Sequence, residues 1–310
     1  MQSYFIRRLL MMFPLMLLIS FVAFVLLNLA PSDPAEIALR INAVTITDDV
    51  IADMRHQLGL DLPFLQRYLN WLWHIIHLDL GRSFLNNQPV LSEILHALPI
   101  TLYLAFSALI IILVVSFGGA LICVIYPNSK WDQSIRAVLF IFTAIPNYWL
   151  ALLLIWGFAV HFNCFPSNGL SQASGIILPA LSLSLGYIGT YLRLIRGTML
   201  NQLEQPYVFY ARARGLSASQ ILFKHVLRNS LHSILVALGM GIPKLIAGSV
   251  VIENIFALPG IGRLCIQAIF GRDYPMIQAY ILLMAVLFLC FNFMIDLLQH
   301  HLDPRLRRGE

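Results

Sequence analysis

Two pairs of residues carry metal-ligand spacing, His74-x-x-His77 and His161-x-x-Cys164. Residues three apart share a helix face, so each pair can turn two donor atoms toward one ion. No further ligand accompanies either pair, and polar residues closing a membrane span leave the same pattern, so no residue is assigned to a metal. Cys123, Cys164, Cys265 and Cys290 are scattered without C-x-x-C spacing and signal neither a zinc site nor a redox couple. The chain contains no G-x-x-x-x-G-K-[ST], G-x-S-x-G or H-E-x-x-H, and no pair of intramembrane acids. It therefore lacks a nucleotide-cradling loop, a hydrolase nucleophile and a zinc-protease helix, and neither a catalytic residue nor a cofactor is expected. Lys244 stands out, because a cation inside an apolar run costs roughly 2.5 to 3.5 kcal/mol and faces a cavity or a partner. Two readings stay open: Lys244 lines a pathway, or it pairs with an acid such as Asp296 or with backbone carbonyls.

The elements that must hold these residues are membrane helices. Charged residues are 11% of the chain and apolar ones 59%, against roughly 25% charged in a soluble domain. Leu9 to Leu29 is free of charge and as a helix covers about 31 Å, enough to cross a bilayer core. Arg7 and Arg8 resemble a signal-peptide start, but the apolar core is too long and no A-x-A site follows, so the segment is expected to be retained. Uncharged runs between Glu93 and Lys130, and between Arg136 and Arg193 with an interruption from Asn163 to Gly169, supply three more spans. Leu231 to Phe256 and Tyr274 to Ile295 complete six.

The Lys/Arg bias places both termini in the cytoplasm, with 13 basic residues inside and 6 outside. Residues 31–93 hold eight acids against four arginines and are expected outside as a small cap. In that cap Thr47 to Leu58 reads as a helix with Thr47 at the N-cap, followed by an aromatic-rich helix from Pro63 to His77. Trp71 and Trp73 suit the interfacial belt. On this topology Cys164 and Cys265 both fall near the outer face, where a disulfide is chemically possible. The expected organisation is residues 1–30 for the cytoplasmic N-terminus and first span, 31–93 for the cap, and 94–310 for a five-helix core with a cytoplasmic loop at 197–230.

Within that loop, Tyr210 to Asn229 is basic and helical in pattern. Gly215 can redirect the chain without a Cβ penalty, and Ser217 with Gln220 then forms a capping box opening a new short helix. Leu216 and Ile221 add a hydrophobic staple. Ile221, Leu222 and Phe223 give the helix an apolar side, while Lys224, His225 and Arg228 sit near its C-terminal end, where the helix dipole favours cations. Such a surface suits docking by a protein partner.

At Ala211-Arg-Ala-Arg-Gly-Leu216 and His225-Val-Leu-Arg-Asn229 the chain resembles permease subunits of bacterial ABC importers of the dipeptide, oligopeptide and nickel family. The resemblance extends through Asp79-Leu-Gly-Arg-Ser83, Glu253-Asn-Ile-Phe-Ala-Leu-Pro-Gly-Ile-Gly-Arg263, Arg272-Asp-Tyr-Pro275 and Asp303-Pro-Arg305. It implies an all-α, polytopic protein of the ABC importer type I permease fold, in the bacterial inner membrane. It also implies a coupling helix seated in the ATP-binding subunit, carried here by Ala211, Arg212, Arg214, Gly215, Leu216, Ser217, Gln220, Ile221, Phe223 and Arg228. Gly215 stands at the loop's characteristic glycine. The Glu-Ala-Ala of other importers is Phe209-Tyr-Ala211 here, and the closing proline is Arg228, so no role tied to that glutamate carries over.

The implied partners are a second homologous permease, two ATP-binding subunits, an external substrate-binding protein and membrane lipid, without nucleic acid. Pro146-Asn-Tyr-Trp-Leu150, Ile252-Glu-Asn-Ile-Phe256 and Phe270-Gly-Arg-Asp-Tyr-Pro-Met-Ile-Gln278 look most similar to nickel and metallophore-metal permeases. The implied cargo is nickel or another transition metal, free or metallophore-bound, with dipeptide or oligopeptide import as the alternative. A stand-alone channel or secondary carrier is the competing class; inverted repeats or a midplane set of ionisable residues would mark it, and neither is evident.

Overall fold

The computed structural model describes residues 2–29, 33–41, 47–170 and 172–302, which are nearly all helical and without strands. The tail motif Asp303-Pro-Arg305 lies outside the described residues. Helix α1 spans Gln2–Asn28, and three short helices follow: α2 Pro34–Ile41, α3 Asp48–Gln57 and α4 Phe64–Ile76. Next come α5 Val90–Ile125, α6 Lys130–Ala144, α7 Asn147–His161, α8 Ile177–Leu203 and α9 Pro206–Ala213. Helix α10 covers Ala218–Ile255, α11 Ile261–Gly271 and α12 Tyr274–Leu302.

Helices α1, α5, α8, α10 and α12 are long and apolar enough to cross a membrane, and α6 with α7 makes a sixth span if the bent pair is taken together. The expected third span is therefore broken, with an angle of 102° between its halves. Proline is the cause. Pro146 has no N–H to donate, and its ring bars Ile145 from helical backbone, so Ile145 is extended at φ −84 and ψ 130.

A second difference concerns the loop. The short helix expected after Gly215 does not end near Arg228; it continues into the span as α10, passing through a π-helical stretch at Ile221–Val226. Between Arg228 and Leu231 the chain offers no glycine or proline, and Ser230 is buried with its Oγ donating to the Val226 carbonyl at 2.8 Å. Nothing there stops the helix.

The chain divides into two compact units, residues 102–258 with 290 onward, and residues 2–101 with 259–289. In the first, α8 is central: Leu178, Leu183, Ile188, Leu192, Ile195 and Met199 are all buried. Small residues let its neighbours approach. A Cβ on Gly189 would overlap Thr143 of α6, and one on Gly241 would overlap the Tyr191 hydroxyl, so α6 and α10 lie close against α8.

In the second unit, α4 packs on α1 through Phe21, Phe24, Phe64, Tyr68 and Trp71, with Ser20 and Tyr68 hydroxyls 2.8 Å apart. The two helices expected between Thr47 and His77 are present. Thr47 holds the N-cap position of α3 in extended backbone, though its side chain makes no capping bond. Trp71 belongs to the aromatic cluster, whereas Trp73 is exposed. Val90, Ile94, Ala268, Met276 and Ala279 form a buried core joining α5, α11 and α12. The backbone N–H of Ile261 donates to Thr101 Oγ1 at 2.9 Å and anchors α11, a helix the sequence reading did not anticipate.

Candidate functional site

The polar segment between α8 and α10 is built by one stop signal followed at once by a start signal. After Leu203 the chain turns, Gln205 is extended, and Pro206 takes the first position of α9, where its missing N–H costs nothing. Helix α9 ends in a full Schellman motif: Gly215 has φ +78, its N–H donates to the Arg212 carbonyl at 2.9 Å, and the Leu216 N–H donates to the Ala211 carbonyl at 3.2 Å. Ser217 then caps α10. Its Oγ accepts from the Gln220 N–H at 3.3 Å and the Gln220 side chain accepts from the Ser217 N–H at 3.1 Å, completing the expected capping box.

Burial sorts the predicted residues by role. Ala211 and Ile221 are buried together with Val208, Leu222 and Val226, so they hold the segment against its own chain. Leu216 is half-buried. Arg212, Arg214, Gly215, Ser217, Gln220, Phe223 and Arg228 are exposed. Two exposed aromatics join them, Phe209 at 70% and Tyr210 at 66%, their rings edge to face at 5.9 Å. The sequence reading noted these positions only as departures from Glu-Ala-Ala. Their signal was two large rings beside Arg212 and Arg214 on a polar loop, a composition typical of interface anchors.

Ser217→Ala removes one acceptor at the start of α10 and is expected to cost about 1 kcal/mol. Amide exchange over residues 218–221, read by mass spectrometry on the purified protein, should quicken about fivefold, and Ser217→Asp should restore the slow rate.

A second constellation escaped the sequence reading. Asp132 is fully buried in the first turn of α6, where Arg196 of α8 grips it with two bonds, Nε to Oδ1 at 3.0 Å and a terminal nitrogen to Oδ2 at 2.8 Å. Arg136 donates to Oδ1 at 2.9 Å, and the Asn128 N–H donates to Oδ2 at 3.0 Å. Every carboxylate lone pair in reach is used. The available signal was Asp132 four residues before Arg136, a helical pairing distance; the partner 64 residues away had none.

Lys244 lies exposed on α10 in a stripe with Met240, Ala247 and Val251, next to Pro243. Among the described residues no ion pair joins it to an acid. Its backbone carbonyl accepts from the Tyr187 hydroxyl at 3.3 Å. The histidines of the first ligand-like pair are locally engaged: His74 lies 3.3 Å from Asp79, and His77 bonds the Trp73 carbonyl at 2.8 Å. His161 stacks on Trp156. Among the described residues no group of three or more His, Cys, Asp or Glu is placed to hold a metal ion. The four cysteines are free thiols, Cys164 exposed and Cys265 buried. Two motifs distant in sequence do meet, as the Ser83 hydroxyl donates to the buried Asp273 carboxylate.

Comparisons with known proteins agree with this architecture. Residues 116–308 match the family described as binding-protein-dependent transport system inner membrane component, and residues 1–105 match its N-terminal companion. The metal-staphylopine import system permease protein CntB of Staphylococcus aureus is 36% identical over 310 residues, covering 100% of this chain and 99% of that protein. A putative peptide transport system permease protein of Brucella abortus is 37% identical, with 99% of each chain covered. The oligopeptide transport system permease protein AppB of Bacillus subtilis is 35% identical, again with 99% of each covered. Among solved structures, an inward-facing MetNI methionine ABC transporter chain superposes with TM-score 0.59 at 19% identity, over 68% of this chain and 96% of that one, which shows the shared fold. The chain belongs to the binding-protein-dependent inner-membrane transport family: it is a multi-pass permease subunit of a bacterial ABC importer, served by a substrate-binding protein and by ATP-binding subunits that carry out the hydrolysis.

Proposed function

We propose that this permease pairs with a second, homologous permease in the lipid bilayer to enclose a pathway for a transition metal, free or held by a small chelator, with both of its termini in the cytoplasm. The segment from Leu216 to Arg228 is its coupling element. ATP binding and hydrolysis in the neighbouring subunits move that segment, and the cavity opens to one side at a time. The observation that carries the reading is the exposed surface of Phe209, Tyr210, Arg212, Arg214 and Phe223, set on a capped turn and continuous with a membrane helix. Lys244 fits the pathway, because an exposed cation in mid-span needs water or a partner.

The likeness to the metal-staphylopine permease over the whole chain supports the metal cargo. The 37% identity to a putative peptide permease supports dipeptide or oligopeptide import as the second reading. Uptake of labelled nickel, free and chelated, against labelled dipeptide in cells with and without the transporter separates them: loss of dipeptide uptake alone overturns the metal reading. For the coupling face, a cysteine at Ser219 should resist a membrane-impermeant maleimide added outside sealed cells. Labelling there would place the segment on the wrong side.

A further inference from the structure

The groove between α6 and α8 has the chemistry of a phospholipid seat. It encloses about 390 Å³ and is lined by Gln133, Arg136, Phe140, Thr143, Leu192 and Arg193, among others. Its two cations are level with each other. Asp132 and Arg196 are bonded across the two helices, and Arg136 and Arg193 each lie about one turn from that pair, both toward the interior of the span because α6 leaves this end of the unit and α8 approaches it.

The charges there do not cancel. Asp132 is the acid of this cluster, and its oxygens are already taken by Arg196, Arg136 and the Asn128 amide. Arg136 gives it one bond and remains 40% exposed, while Arg193 gives its Nε to the Gly189 carbonyl at 3.3 Å and is exposed. Net positive charge therefore borders the groove. The exposed surface of α6 beside it is greasy: Val138, Phe140 and Ile141 are all at least half exposed, and Trp131 stands exposed about two helical turns before Val138. A guanidinium at this depth is costly in hydrocarbon and is stabilised by a phosphate that reaches it from the interface.

We propose that this groove binds one anionic phospholipid, its phosphodiester held by Arg136 and Arg193 and an acyl chain lying along Ala137, Leu139 and Phe140. Basic pockets between membrane helices take anionic headgroups by this combination of charge and apolar wall. The proposal depends neither on the cargo nor on which leaflet this end of the unit faces.

The test uses the assembled transporter in nanodiscs of phosphatidylcholine with or without phosphatidylglycerol. Native mass spectrometry should find phosphatidylglycerol retained through delipidation, and Arg193→Gln should reduce its retention about fivefold, with Arg193→Lys intermediate. Because Arg193 makes no ion pair among the described residues, the assembly itself should persist in that variant, as size-exclusion chromatography will show. Retention unchanged in Arg193→Gln overturns the proposal. So does equal stabilisation by soluble glycerol phosphate, which needs no acyl chain. A third overturning result is efficient cross-linking of Phe140→Cys to the second permease, which would place protein in the groove.

Discussion

Gly215→Pro should abolish transport, with substrate-stimulated ATPase falling at least about tenfold, while the protein still inserts and accumulates in the membrane. The reasoning is local. Gly215 sits at φ +78, and proline is fixed near −65°, so the turn cannot form with proline in place. Proline also deletes the N–H that reaches the Arg212 carbonyl. Gly215→Ala separates backbone strain from crowding, because nothing lies within 4 Å of the Cβ it would add. Alanine should therefore show only the penalty of positive φ, about 1 to 2 kcal/mol, and an intermediate transport rate. Uptake assays and ATPase measurements on reconstituted protein check both. Wild-type uptake in Gly215→Pro would remove the coupling role from this turn, and charge reversal at Arg212 and Arg214 would be expected to do nothing either.

Asp132→Ala should strongly destabilise the first unit. It strands Arg196, whose side chain is 18% exposed, without its carboxylate, and breaking a buried pair this way costs about 3 to 5 kcal/mol. Accumulation in the membrane should drop sharply and the thermal midpoint of the purified complex should fall. The double change Asp132→Leu with Arg196→Met should recover much of the loss, since apolar side chains of similar bulk fill a buried ion-pair site well. A single mutant no worse than the double would mean that the pair contributes little.

Much of this molecule was legible because bilayer and backbone rules act locally. Apolar runs of helix length placed the spans, and Ser217 with Gln220 three residues on was enough to predict a capping box that the structure contains in full. Gly215 announced its positive φ for the same reason. What the sequence concealed was tertiary. Asp132 and Arg196 look like ordinary loop charges until α6 and α8 lie side by side, and Ser83 gives no hint of the buried Asp273 it meets 190 residues later. Ile221 read as surface because amphipathic periodicity identifies an apolar side without saying what covers it; its own chain does. The bend at Pro146 was readable in principle, yet the apolar run through it disguised two helices as one.

The course of α10 has a mechanical consequence. From Ala218 to Pro243 it runs about 38 Å, π-helical at Ile221–Val226 and with no glycine or proline joint before Gly239. Pivoted at Pro243, where a helix hydrogen bond is missing, this length magnifies small angles: a tilt of about 8° sweeps its capped end through about 5 Å, one helical pitch. Leverage of that kind turns a modest change of angle at the proline into a full step at the capped end.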